Sequence, residues 1–302
     1  MKTNPKFRKR STPFVQLFRT TPAKTICPNF YVLAHADGCS FRPQCVYCYL
    51  KSSFFALRQP EVFVNVKQLL KEVSRWLEKD KLECYTLNAG NLCDSMCFEE
   101  NRPLIGKLVE LFREKAKNKP HTLLLVTKGG VGECRTLFEI EPCANVVISF
   151  SINNYNAAKK YETGAPSVAS RLRAASILKQ KGWRVRIRID PMIKGYSYVN
   201  IAKRVAKLKP ELVTLGSLRA EPHLLAIMKN GLFSELEKPG VPHGLARYPL
   251  HVRKKLYCQI ISILDGICPV GLCEEEPAVW DMLGLTKSTP VCNCISLQPA
   301  SV

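Results

Sequence analysis

Five short apolar and β-branched runs, Glu83 to Leu87, Thr122 to Thr127, Asn145 to Ser151, Val185 to Ile189 and Leu212 to Leu215, are separated by helical periodicity near 102–117, 133–139, 167–181 and 199–208. This alternation constrains the fold more than any other feature of the chain. Strands that re-enter one sheet in the same direction need a crossover, so strand and helix in turn call for βαβ units and a parallel sheet. Phe30-Tyr31-Val32-Leu33-Ala34 adds a sixth strand in front. Between the first two strands, Val66 to Lys79 places Val66, Leu69, Leu70, Val73 and Leu77 on one face of an outer helix. Periodicity alone fits an open doubly wound sheet as well as an incomplete barrel; in either, the C-terminal strand ends carry the chemistry.

The 302 residues suffice for one sizeable α/β core with a small extension. We expect a basic N-terminal arm over 1–25, poorly ordered at its tip, a main domain over 26–220, and an extension over 221–302 that covers the substrate side. No apolar run is long enough for a membrane-spanning helix, and no membrane partner is expected. The basic start, Met1 to Arg10, is not followed by the apolar core of a secretory signal, so a cytoplasmic location with reduced thiols is expected.

In such a compartment 14 cysteines point to metal ligation more than to disulfides. Cys39, Cys45 and Cys48 stand in one loop, with five residues between the first pair and two between the second. Three closely spaced thiolates can hold three irons of a [4Fe–4S] cluster and leave the fourth open to a chelating small molecule. Cys45-x2-Cys48 is also suitable spacing for zinc. Cys268, Cys273, Cys292 and Cys294 form two further pairs that could hold a second iron–sulfur cluster or a structural zinc, or remain free thiols. His35, His121, His223, His243 and His251 form no pair with ligand spacing, and no P-loop, dinucleotide fingerprint or hydrolase elbow occurs.

Lys and Arg total 45 against 25 acidic residues, a formal charge of +20 that would attract a polyanion. The stretch from Arg247 to Tyr257 is basic with aromatics interleaved, and Arg247, Tyr248, Arg253, Lys254 and Lys255 are candidates for phosphate contact and base stacking. A solvated basic helix face is the plainer alternative.

The run Cys45-Val46-Tyr47-Cys48-Tyr49-Leu50 resembles the cluster loop of the radical S-adenosylmethionine (SAM) superfamily, in the branch of the spore photoproduct lyases and DNA repair photolyases. That branch usually has three residues between the first two cysteines, where this chain has five. Matching segments keep their order at strand ends over roughly residues 29 to 260. Asn88 to Met96 is similar to a Gly-Glu-Leu-x-Asp-Ser-Leu stretch: Gly90, Asp94 and Ser95 match, while Asn91 replaces the Glu expected to meet the SAM amino group. Lys128, in Val126-Thr127-Lys128-Gly129, matches a partner for the SAM carboxylate, and Ser149 to Asn153 brings Ser151 and Asn153. Tyr161 to Pro166 and the segment from Arg171 bring Glu162 and Arg171, which the resemblance implies position loops near the SAM ribose or the substrate, with a structural Glu–Arg pair as the alternative; Tyr47 completes this expected cofactor-binding set. In the lyases the hydrogen-donating Cys aligns with Asn91, so Cys93, two residues on, is the candidate donor here and Cys97 its reserve.

The resemblance implies an incomplete (β/α)6 TIM-like barrel with a C-terminal cysteine-containing extension. It implies a [4Fe–4S] cluster on Cys39, Cys45 and Cys48, cleavage of SAM to a 5′-deoxyadenosyl radical, and hydrogen abstraction from a nucleic acid, DNA or RNA, in lesion repair or base modification. Flavodoxin or ferredoxin is the expected electron donor. A radical SAM enzyme acting on a small metabolite or peptide is one alternative; a zinc-stabilised RNA-binding module without catalysis is another.

Overall fold

In the computed structural model, residues 4–228, 231–285 and 291–295 are described. Residues 1–3 of the expected arm, and 229–230, 286–290 and 296–302 of the expected extension, lie outside them.

The main sheet has eight strands: β1 (Val15–Leu17), β2 (Tyr31–Leu33), β3 (Thr86–Asn88), β4 (Thr122–Thr127), β5 (Val146–Ile152), β6 (Arg184–Met192), β7 (Leu212–Ser217) and β8 (Val270–Leu272). Their spatial order is their chain order. From β2 to β8 every neighbouring pair is parallel, and β1 alone is antiparallel, to β2. Helices α1 (Val66–Leu77), α2 (Ile105–Lys115), α3 (Arg135–Glu139), α4 (Tyr155–Tyr161), α5 (Val168–Gln180), α6 (Val199–Leu208) and α7 (Leu250–Leu264) supply the crossovers. The expected α/β class and parallel sheet are thus present. Two elements go beyond the sequence expectation: α4, only seven residues long, and β8, which adds a seventh parallel strand from the extension. The segment expected as an arm supplies β1, and its Lys6–Arg8 strand pairs with Glu61–Phe63 in a separate three-stranded sheet.

Local chemistry explains the helix boundaries. The Asn154 side chain accepts the backbone N–H groups of Asn156 and Ala157 at the start of α4, and Ser167 accepts that of Ser170 at the start of α5, satisfying donors that have no partner inside the helix. In α1, Leu69, Val73, Trp76 and Leu77 are buried at helical spacing, against the hydrophobic core that also takes Leu87 and Leu123.

All seven residues of β5 are buried because the strand is covered on both faces. Val146, Ile148, Phe150 and Ile152 face the main core, whereas Val147 packs with Leu124, Val126 and Cys294. On that second face Ser149 donates to the Asn293 side chain at 2.7 Å, and Arg186 donates to the carbonyls of Asn293 and Ile295 at 2.7 and 2.8 Å. Residues 291–295 are therefore seated on the sheet face opposite the helices.

Candidate active site

The cysteine loop leaves β2 and is held from two sides. On one, the Gly38 N–H donates to the Leu92 carbonyl at 2.9 Å and the Ser40 hydroxyl to the Cys97 carbonyl at 2.8 Å. On the other, the Val46 N–H donates to the Tyr161 carbonyl at 2.8 Å. Gly164 sits so close to Arg42 and Pro43 that a Cβ there would lie 2.2 Å from the Pro43 carbonyl oxygen, so this approach requires glycine. The loop is thus clamped between the segment after β3 and the segment after α4.

Within it the three thiols are electrostatic neighbours. The hydrogen bond with Cys97 and then burial push the Cys39 thiol well up. Burial, followed by Cys39, pushes Cys48 up to about 11; burial also raises Cys45, against which Lys128 pulls down. Among the described residues no three His, Cys, Asp or Glu side chains gather around a single-ion site. A cuboid cluster takes its thiolates on separate irons.

Beneath the loop lies a buried polar network. Glu162 accepts from the Tyr47 hydroxyl, from Asn153 at 3.0 Å and from Arg171 at 2.5 Å. Tyr198 donates to the Asn153 carbonyl oxygen at 2.8 Å, and Arg171 reaches the carbonyls of Ser151 and Pro166 at 3.1 and 2.8 Å. Burial alone would raise the Glu162 carboxyl; Arg171 and then Lys128 outweigh it and hold it at about 2. Glu162 and Arg171, each 1% exposed at the side chain, are paired with each other. The structural Glu–Arg pair is the arrangement present, and through Tyr47 it positions the cysteine loop; direct contact with cofactor or substrate is not what the two side chains are committed to.

Asp94 is committed in the same way. Its carboxylate accepts from Met96 N–H at 2.9 Å, the Thr127 hydroxyl at 2.7 Å and Lys128 N–H at 2.6 Å, which pins the segment after β3 to the end of β4. Ser95 fits the cofactor expectation better, whereas packing against Val126 is what requires glycine at position 90. A Cβ on Gly90 would collide with Val126 at 2.6 Å and close on the Ser95 hydroxyl at 3.0 Å, and that hydroxyl is buried without a partner. Lys128 holds its ammonium 5.7 Å from the Tyr47 ring centroid. Tyr49, to which the sequence assigns no role, donates to the Asn91 carbonyl and so ties the third cysteine to the Asn91 segment. Its position directly after Cys48 was the available signal.

Cys93 and Cys97 are 2% and 0% exposed, in an apolar cluster with Ala36, Phe41, Val62 and Phe98, a layer below the surface and not at an open site. Cys97 meets Cys39. Cys93 lies 3.1 Å from His35 Nε2, while Arg102 donates to His35 Nδ1 at 2.7 Å. A guanidinium has only donors, so Nδ1 is the acceptor and the ring proton sits on Nε2, facing Cys93 and, at 3.0 Å, the Ala89 carbonyl. Burial, and then Arg102, lower His35 to about 3.

The C-terminal cysteines are arranged differently from expectation. Cys268 packs against the main core, and burial alone raises its thiol. Cys273 accepts from Arg188 and Arg219 at 3.2 Å each, Cys292 and Cys294 are hydrogen-bonded to each other, and Cys27 is the electrostatic neighbour that completes the group. The expected set of Cys268, Cys273, Cys292 and Cys294 is therefore not one site.

The basic run is corrected as well. Arg247, Tyr248 and Arg253 are buried; Arg253 pairs with Glu275 at 2.5 Å and Glu276 at 2.8 Å, and Arg247 lies 3.6 Å from Glu275. Of the five candidates only Lys254 and Lys255 face solvent. A cavity of about 570 Å³ opens far from the cysteine loop, where Pro28, Asn29, Tyr85 and Thr86 precede or begin their strands and Cys294 forms part of the wall.

The family described as spore photoproduct lyase matches residues 7–214. A spore photoproduct lyase of Clostridium acetobutylicum is 24% identical over 203 residues, which is 67% of this chain and 57% of that protein, so the match spans little more than half of that relative's length. Among solved structures, spore photoproduct lyase complexed with dinucleoside spore photoproduct gives a TM-score of 0.72 at 16% identity, over 88% of this chain and 82% of the other. A double mutant of spore photoproduct lyase with bound AdoMet and dinucleoside spore photoproduct gives 0.67 at 17% identity, over 80% and 75%. At these identities the structural likeness speaks for the fold. Among the described residues no helix is long and apolar enough to cross a membrane.

Proposed function

This chain belongs to the spore photoproduct lyase family of radical SAM enzymes, and from that premise we propose that it uses a [4Fe–4S] cluster and SAM to abstract hydrogen from a nucleic acid, in repair of a base lesion or modification of a base. Membership in that family replaces the reading as a zinc-stabilised RNA-binding module. The observation that carries the proposal is the double clamp on the cysteine loop, with Glu162 and Arg171 fixing Tyr47 beneath it. We read the ordered parallel strands as an incomplete (β/α)6 barrel whose C-terminal strand ends hold the site, extended at its edge by β8.

Cys39, Cys45 and Cys48 would hold the cluster, and Gly90, Asn91, Ser95, Lys128, Ser151 and Asn153 would surround SAM. The buried, unpartnered Ser95 hydroxyl fits such a ligand. Together, cluster and SAM supply a 5′-deoxyadenosyl radical when bound. The chain's own residues orient and exclude water: Lys128 offers a cation to a carboxylate, and Tyr49 holds the Asn91 carbonyl in place. Cys93, beneath the site in its apolar cluster with His35 Nε2–H beside its sulfur, is the thiol proposed for hydrogen return, a role that requires the bound cofactor and substrate to reach that layer. Flavodoxin or ferredoxin would deliver the electron, in the cytoplasm.

The test is anaerobic reconstitution followed by assay of 5′-deoxyadenosine with DNA, RNA and metabolite pools. About four irons per chain and 5′-deoxyadenosine that disappears in C45A are expected. Colourless protein without iron would sink the enzyme assignment. C93A should still form 5′-deoxyadenosine yet lose product; unaltered product would remove Cys93 from the scheme. The burial of Arg247 and Arg253 gives some weight to a small-metabolite or peptide substrate, and product confined to those pools would establish it.

A further inference from the structure

With Arg247, Tyr248 and Arg253 committed to the interior, those three side chains cannot contact a nucleic acid, and another surface is needed in addition to Lys254 and Lys255. A helical turn, Leu50–Ser53, follows Cys48 directly, and the helix Pro222–Ile227 begins shortly after β7 ends; the two pack against each other at the C-terminal strand ends, on the side of the cysteine loop. Ser52 hydrogen-bonds His223 Nδ1 at 2.9 Å. The His223 ring meets Phe55 edge to face, with centroids 5.3 Å apart and planes at 86°.

Phe55 is 71% exposed, the most exposed of seven large apolar side chains that face solvent among the described residues. Isolated exposed apolar residues need no explanation. Here, however, Tyr49 at 46% and Ile227 at 41% belong to the same two segments. The segment that carries Phe55 is also basic in sequence. From Gly38 to Pro60 there is no acidic residue, while Arg42, Lys51 and Arg58 lie in that stretch; Glu221, before the second helix, is the acid nearest in sequence to His223. An exposed ring held rigid by a second ring, with cations near it in sequence and one helical turn from the cluster cysteines, suits a nucleobase with its phosphates.

We propose that Phe55, braced by His223 and Ser52, is a stacking platform for an unpaired base of the nucleic-acid substrate, with Arg58 toward the backbone. This rests on the nucleic-acid reading above, and the experiment separates the two. Binding of the full chain to a dye-labelled single-stranded DNA oligomer is measured by anisotropy across a salt series, with an RNA oligomer in parallel. F55A should weaken binding about tenfold without altering the salt dependence, because stacking releases no counterions. R58Q should instead lower the salt slope by about one. F55W should retain affinity, and its indole fluorescence should be quenched on binding; Trp76, Trp183 and Trp280 are buried, so this signal stands apart. If wild type binds in a salt-dependent manner but F55A matches it and F55W is not quenched, the platform is wrong and the nucleic-acid reading survives. If wild type binds neither oligomer even at low salt, both fall together.

Discussion

Two buried glutamates organise two ends of this molecule, and they are satisfied in different ways. Glu162 lies beneath the cysteine loop and takes Arg171, Asn153 and Tyr47, so one of its bonds reaches a residue between two cluster cysteines. Glu275 lies behind the extension and takes Arg253 at 2.5 Å and Tyr257 at 2.8 Å, both from α7, together with the backbone N–H of Glu276. Each is a carboxylate neutralised inside the protein, where removal of one partner strands the other. What separates them is the destination of the remaining bond. At Glu162 it supports the cysteine loop, which on the proposed function must hold its shape to bind iron; at Glu275 it fastens a helix to the chain preceding Pro277–Met282.

The comparison also explains what could be read in advance. Strand and helix alternation is legible because both faces of the sheet are covered, so β4 and β5 are mostly apolar runs, while β6 keeps Val185, Ile187 and Ile189 on one face between arginines. The helical periodicity over 199–208 coincides with α6 itself. The start of β3 lies three residues later than expected, since Cys84 and Tyr85 look like strand yet the ladder to β4 begins at Thr86. The cysteine loop was legible because its ligands are contiguous in sequence. Burial of arginine was not. Arg171, Arg247 and Arg253 look like surface charges until their partners are known, and those partners lie 9 to 28 residues away, beyond the reach of helical periodicity.

The largest expected effect is that of E162Q. It leaves Arg171 buried without a counter-charge, at a cost of about 3–5 kcal/mol by urea unfolding. The same variant should fail to hold a full complement of iron, because Tyr47 loses its anchor. E275Q should cost somewhat less, about 3 kcal/mol, because Arg253 keeps Glu276 at 2.8 Å. Its iron content should match wild type. Equal iron loss in both variants would erase the distinction between a loop support and a fold support.

Acid should expose the same difference. The Glu162 carboxyl is lower in the folded than in the unfolded chain, so its contribution is present above the unfolded value of 4.5 and is lost as the pH falls toward about 2. A shift of this size corresponds to about 3 kcal/mol. His35, lowered from 6.5 to about 3, acts with the same sign from a higher starting pH. Stability followed by urea titration should therefore fall in two stages on acidification. E162Q should flatten the lower stage and leave the upper; a wild-type profile in E162Q would mean that Arg171 does not hold Glu162 down.

Y47F tests the bond that gives Glu162 its functional reach. It deletes one donor to a charged acceptor and leaves the ring, so a loss of about 1.5–3 kcal/mol is expected. In a double-mutant cycle Y47F and E162Q should be coupled, while Y47F and E275Q should add. Additivity in both cycles would disconnect the loop from its support.

The smallest effects should come from Lys254 and Lys255, the candidates of the basic run that do face solvent. Surface charge changes of this kind usually move stability by less than about 0.5 kcal/mol, so K254Q and K255Q should unfold like wild type. Their effect on DNA affinity is the sharper measure. Removing one lysine–phosphate interaction lowers the slope of affinity against salt by about one. An unchanged slope in the double variant would leave α7 out of nucleic-acid binding and favour the junction beside the cysteine loop. A slope reduced by about two would return part of that binding to α7, whose buried Arg253 would then act only by fixing the helix that presents the two lysines.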